Sequence, residues 1–148
     1  MSNLKKSFTL IELLIVISII GILVLIGIPA FRRFQPSIQL SGAVRELVSD
    51  LRYSGQLAIT EQVNHGIHFF SDPDKYQIIR YGEVEEVLEE KNLPEKVSFQ
   101  EISGFTDEEV IFNPYGAAKE SGSITLINTA NTTTTIEVRP SGFVKIVK

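Results

Sequence analysis

One carboxylate, Glu12, stands inside a run of about twenty apolar residues that begins at Phe8 and ends near Ala30. A charge in hydrocarbon is costly unless it sits shallow or finds a partner of opposite sign. Were the chain cut before Phe8, the new α-amine would lie about 6 Å along a helix from Glu12, at ~1.5 Å rise per residue. The chemistry this pattern offers is charge pairing between an amine and an acid, not bond making.

Other groups that could do chemistry are scattered. His65 and His68 lie three apart in a β-like run, so they face opposite sides of a sheet and make no metal pair. Asp72 with Asp74, and Asp107-Glu108-Glu109, place oxygen ligands in loops without a recognisable ion-binding spacing, and they read as solvated turn acids. The glutamates of Glu83–Glu90 read as a soluble edge and not as an acid/base pair. There is no nucleophile motif and no glycine-rich phosphate loop. The expectation is therefore a protein that is not an enzyme, with no cofactor and no metal.

Composition narrows the class. About 110 of the 148 residues follow the apolar run, enough for one domain with its own core. The formal charge is −4, and it becomes −6 if Lys5 and Lys6 are removed with everything before Phe8, since all 18 acids remain. That balance argues against nucleic acid as the main partner. The absence of cysteine excludes disulfides, thiol catalysis and thiolate metal sites.

The elements that must position these groups are legible from periodicity. After Pro36, Leu40, Val44, Leu47, Val48, Leu51 and Ala58 recur at helical spacing, while Arg45, Glu46, Asp50, Arg52 and Gln56 fall elsewhere on the wheel. This predicts an amphipathic helix ending near Gln62, with kinks or a short break at Pro29 and Pro36. Eight β-like runs follow: 63–70, 76–81, 84–88, 97–102, 110–112, 123–128, 134–138 and 143–147. Asn128–Thr135 reads as a turn between strands, and Pro140-Ser141-Gly142 as a tight connection.

The apolar run itself has three readings. A secretory signal peptide needs a small-residue cleavage site after the run, and Leu25–Ala30, LIGIPA, imitates one poorly. A plain single-span anchor fits the length but gives Glu12 no purpose. Orientation is not set by charge, because Lys5 and Lys6 before the run are matched by Arg32 and Arg33 after it.

The third reading comes from the motif. Lys5-Lys6-Ser7 followed by Phe8-Thr9-Leu10-Ile11-Glu12, a long apolar helix and Pro29 resembles the N-terminus of the type IV pilin superfamily, which includes type II secretion pseudopilins. The family's usual residue before the cut is glycine; here it is Ser7, also small. Further on, Phe112-Asn113-Pro114-Tyr115-Gly116, Ile124-Thr125-Leu126, Ile136-Glu137-Val138 and Ser141-Gly142-Phe143-Val144 are similar to the GspH/FimT branch, as is the helix segment Leu47–Glu61.

The resemblance implies an α+β fold, a long N-terminal helix laid on an antiparallel sheet domain. It divides the chain into a leader (1–7), a membrane and assembly helix (8–31), its amphipathic continuation (32–62) and a β domain (63–148). It implies cleavage between Ser7 and Phe8 by a prepilin peptidase, N-methylation of Phe8, and a role for Glu12 and Pro29 in assembly. Lys5 and Lys6 would hold the leader on the cytoplasmic side. The implied place is the cytoplasmic membrane, single-pass with the domain in the periplasm or outside, and then a filament. Partners would be other pilin-like subunits, the peptidase, a platform membrane protein and, indirectly, its ATPase. Two alternatives stay open: a DNA-uptake pilin touching DNA through Arg139, Lys145 and Lys148, or an anchored binding module that never polymerises.

Overall fold

A computed structural model describes residues 8–147, which divide into two compact units between Gln35 and Pro36. In the first unit the chain is helical from Leu10, the start of α1 (Leu10–Glu61, 52 residues). Residues Leu10–Pro29 form a stretch of mean hydropathy 3.0, long and apolar enough to cross a membrane, with none of it buried within the protein. A helix satisfies its own peptide groups, which is the requirement for a backbone placed in lipid. Ser18, a polar residue in this run, donates its hydroxyl to the Leu14 carbonyl at 2.7 Å.

Of the kinks or short break expected at the prolines, the break does not occur: α1 runs through both Pro29 and Pro36. Each proline removes one donor from the ladder, and the bonds on either side keep the turn helical.

In the second unit, the helix carries Leu40, Ala43, Val44, Leu47, Val48, Leu51 and Ala58 as a buried stripe. Three- and four-residue spacing puts these side chains on one face, and the hydrophobic effect buries that face. The face meets two four-stranded antiparallel sheets. One has the order β3-β2-β1-β5, from β1 (Asn64–Ser71), β2 (Asp74–Tyr81), β3 (Glu85–Asn92) and β5 (Glu109–Phe112). The other has the order β4-β6-β7-β8, from β4 (Val97–Ser103), β6 (Gly122–Asn128), β7 (Thr133–Val138) and β8 (Val144–Val147). Each of the eight β-like runs forms a strand. Ile67, Phe69, Ile78, Phe112, Ile124, Leu126 and Ile136 supply the sheet side of the core.

Short turns close the second sheet. Asn128 Oδ1 accepts the Ala130 and Thr132 N–H groups at 3.0 and 2.9 Å, so the turn is organised by one side chain and ends at Thr132; Thr133, Thr134 and Thr135, expected within it, belong to β7. Gly142 has φ +79°, and a Cβ there would stand 1.9 Å from the Gly116 carbonyl oxygen. Only glycine fits that crossing of two turns.

Asp50 departs from the sequence reading. It is buried, not on the solvent face, because it sits at the margin of the stripe beside Leu47 and Leu51. The Tyr76 hydroxyl donates to its Oδ2 at 2.7 Å, and the Lys91 ammonium reaches both oxygens at 3.1 and 2.9 Å. Lys91 also lies 3.3 Å from Glu46. This network ties α1 to β2 and β3. Asp74 is not a solvated turn acid either: its Oδ1 accepts the Phe99 N–H at 2.8 Å, joining β2 of one sheet to β4 of the other. Glu109 belongs to β5 and pairs with His68 at 3.4 Å, whereas Asp107 and Glu108 are exposed.

The Asp50 network has a pH signature. Burial, reinforced by the Asp50 carboxylate, pushes the Tyr76 hydroxyl well above its ordinary value of 10.0. Burial alone would lower Lys91, but the Asp50, Glu46 and Glu89 carboxylates raise it above 10.5 on balance. Both groups hold their protons more tightly folded than unfolded. Their contribution is present below about pH 10 and is lost as pH rises further. Asp50→Asn should cost about 2–3 kcal/mol at neutral pH. It should also shrink the fall in Tm between about pH 8 and pH 11, as read by thermal melts of the detergent-solubilised chain.

Candidate assembly site

At the head of α1 the residues Thr9 and Glu12 satisfy each other. The Thr9 N–H and hydroxyl both donate to Glu12 Oε2, at 2.9 and 2.8 Å, and the Glu12 N–H donates to Thr9 Oγ1 at 3.3 Å. This is a reciprocal cap, in which the first helical turn is closed by a threonine and the glutamate three residues on. The helix dipole adds to it, since a negative group is favoured in the first turn. Oε1 accepts no hydrogen bond among the described residues. The carboxylate is thus held in place through one oxygen, Oε2.

The cap was legible as Thr-x-x-Glu in front of an apolar run, a signal the charge argument passed over. It gives Glu12 a local duty besides any charge pairing. Phe8 is exposed beside it, and Pro29 lies exposed inside the helix. Lys5, Lys6 and Ser7, and Lys148 at the other end, lie outside the described residues.

The remaining candidates do not gather into a second site. Arg139 is engaged by Glu137 at 3.1 Å, and Lys145 is the register partner of that same glutamate across β7 and β8. One acid between two cations leaves little net charge there for a phosphate backbone, which needs clustered positive residues. His65 is fully buried 3.3 Å from Glu61, while His68 is part-exposed beside Glu109; the two do not share a face.

An exposed membrane-length helix with a capped acid at its head, followed by a helix-backed pair of antiparallel sheets, can now be set beside known proteins. Residues 2–28 match the prokaryotic N-terminal methylation motif, and residues 43–142 match the family described as type II transport protein GspH. The chain belongs to the GspH family. It is a pilin or pseudopilin carrying the methylation motif.

GspH-family membership agrees with the relatives. The type IV major pilin protein PilE of Neisseria gonorrhoeae is 44% identical over 68 residues, covering 45% of this chain and 38% of PilE. A fimbrial protein of Pseudomonas aeruginosa is 47% identical over 57 residues, covering 38% and 36%. The match thus spans less than two fifths of these relatives' own length. Among solved structures, the minor pseudopilin EpsH from the type 2 secretion system of Vibrio cholerae aligns with TM-score 0.63 at 8% identity, over 74% of this chain and 96% of EpsH. The type IV minor pilin FimU of Pseudomonas aeruginosa gives 0.57 at 15% identity, over 74% and 93%. At such low identity these two establish the fold.

The cap and the charge of Glu12 are separable. Glu12→Gln keeps an acceptor for Thr9, whereas Thr9→Val removes the hydroxyl that holds the first turn. In lipid nanodiscs, the first-turn amides of Thr9→Val should exchange about 3–10-fold faster than those of the parent, and Glu12→Gln should change them little.

Proposed function

We propose that this chain is a minor subunit of a pilin-like filament, cleaved between Ser7 and Phe8 by a prepilin peptidase and methylated on the Phe8 amine. Before assembly it sits once through the cytoplasmic membrane with its two-sheet domain on the outer side, in the periplasm or beyond. A platform membrane protein, driven indirectly by a cytoplasmic ATPase, draws it into the filament. There the residues from Phe8 to Ile28 exchange lipid for neighbouring helices. Glu12 then meets the Phe8 amine of an adjacent subunit, setting axial register, and Pro29 lies where the packed helices adjust. The role is structural, without catalysis.

The observation that carries this reading is the Glu12 carboxylate itself. It heads a wholly exposed apolar helix and uses one oxygen for its own cap, leaving the other without a hydrogen bond among the described residues. A permanent anchor has no use for that second oxygen. A stack of pilin-like helices, each beginning with a free amine, supplies a cation for it. DNA capture has no comparable support, given the Glu137 carboxylate between Arg139 and Lys145.

Two measurements test the proposal. Mass spectrometry of the chain recovered from membranes should find it starting at Phe8 with one added methyl group; an intact Met1, or a start near Ala30, counts decisively against processing. Glu12→Gln should lower incorporation into sheared filaments or cross-linked complexes about tenfold or more, as loss of a charge pair in a low-dielectric setting requires. Incorporation equal to the parent would leave the electrostatic mechanism without support.

A further inference from the structure

In the second unit, α1 and β8, the outermost strand of its sheet, border a groove of about 480 Å³. Val48 and Ile146 give it apolar surface, Tyr53 an aromatic ring, and Arg45 and Arg52 two guanidinium groups. A smaller cavity of about 170 Å³ shares Arg45 and Ile146 with it and continues to Ser41 and Thr134. No acid and no lysine lines either cavity. Arg52 is fixed by a hydrogen bond from Nη2 to the Val144 carbonyl at 3.1 Å.

Neither arginine has a carboxylate partner among the described residues, although acids outnumber bases in this unit. The local sequence explains why. Three and four residues to either side of Arg45 and Arg52 stand only serine, glycine, valine and glutamine, so α1 supplies no acid on that stripe. Glu46, next to Arg45 in the chain, is turned to Lys91 at 3.3 Å. Both guanidiniums are therefore left for an acid from outside the chain. Arginine and tyrosine are also residues that protein interfaces favour, whereas lysine and the acids are those they disfavour.

We infer that this groove receives an acidic, part-apolar helical segment of a different pilin-like subunit, the one beside this chain in the filament. Arg45 and Arg52 are seven residues apart, which is two turns and about 10 Å along the axis. With Arg52 fixed to β8, a single small anion does not serve both. A helix with carboxylates seven residues apart does, and an apolar side chain between them meets Val48 and Ile146. Each guanidinium can hold its carboxylate through two parallel hydrogen bonds. A nucleic acid suits the groove less well, because the acidic unit around it repels a long polyanion. The inference rests on the filament reading, in which a minor subunit is bordered by other pilin-like subunits, and it names the surface that one of them covers.

Gln56 lines the groove and is exposed, so a probe placed there reports the occupant. The full-length chain is produced in its own cells with photo-reactive p-benzoylphenylalanine in place of Gln56, irradiated, and the joined peptides are sequenced by mass spectrometry. The expected product joins Gln56 to another protein that carries the N-terminal methylation motif, at a peptide with two or more acids within about eight residues. Arg45→Glu should lower its yield about tenfold, and lysine in place of the mapped acids should restore it. The Arg45 side chain is exposed and has no hydrogen bond or ion pair among the described residues, so the fold tolerates the change. The same photo-reactive residue in place of Ile15, on the apolar helix, reports helix packing in the filament. Products at Ile15 with none at Gln56 overturn the groove assignment and leave the filament reading standing. Loss of both products overturns both. A Gln56 product with a second copy of this chain, with lipid or with nucleic acid, or a yield unchanged by Arg45→Glu, overturns the proposed occupant.

Discussion

A single carboxylate at the head of an apolar helix constrains everything that follows it. In water Glu12 would need nothing. In hydrocarbon it needs donors, and the chain supplies them from Thr9, one turn earlier, through its N–H and its hydroxyl. That local closure caps the first turn of a twenty-residue helix of mean hydropathy 3.0. Because the cap occupies one oxygen, the group remains able to take a second partner. Under the filament reading, a subunit that must be stable in lipid and then be drawn out into a helical stack needs both properties. A hydrophobic residue at the position would give the first without the second.

The domain beyond Pro36 answers a different demand, that of holding two small sheets against one helix. Four-stranded antiparallel sheets of this size bury a single face each, and the stripe from Leu40 to Ala58 provides the common floor. Burial alone leaves sheets free to slide. Two polar contacts remove that freedom: Asp50 with Tyr76 and Lys91 binds the helix to the first sheet, and Asp74 with the Phe99 N–H binds the first sheet to the second. Directional bonds of this kind select one packing among those the apolar core would accept.

Much of this was legible in the residues. The stripe of the helix and the eight strands follow from spacing, since buried faces impose period 3.6 or 2 wherever they form. Features that depend on what a side chain meets in space were not. Asp50 looks solvent-facing on a wheel, and only the arrival of Tyr76 and Lys91 from β2 and β3 makes its burial tolerable. Asp74 looks like a turn acid until β4 places a free N–H before it. Pro29 and Pro36 read as places for kinks or a short break, and the helix runs through both because one missing donor does not outweigh the helical bonds on each side. Thr9 was a different case: its cap was written in the motif and was overlooked because Glu12 had already been given another use.

Charge distribution links the domain back to assembly. A formal charge of −4, spread uniformly, would make neighbouring subunits repel. Here the acids concentrate beside β3, and Arg45 and Arg52 line a groove against Ile146 of β8, the neighbour of Lys145. Among the C-terminal cations, Arg139 and Lys145 share Glu137, which stands on β7 opposite Lys145 of β8. Charges arranged in separate, complementary patches favour contact between unlike flanks over contact between like ones. Under the filament reading, this would give the domain a preferred neighbour direction, while the Glu12 carboxylate acts on the packing of the helices.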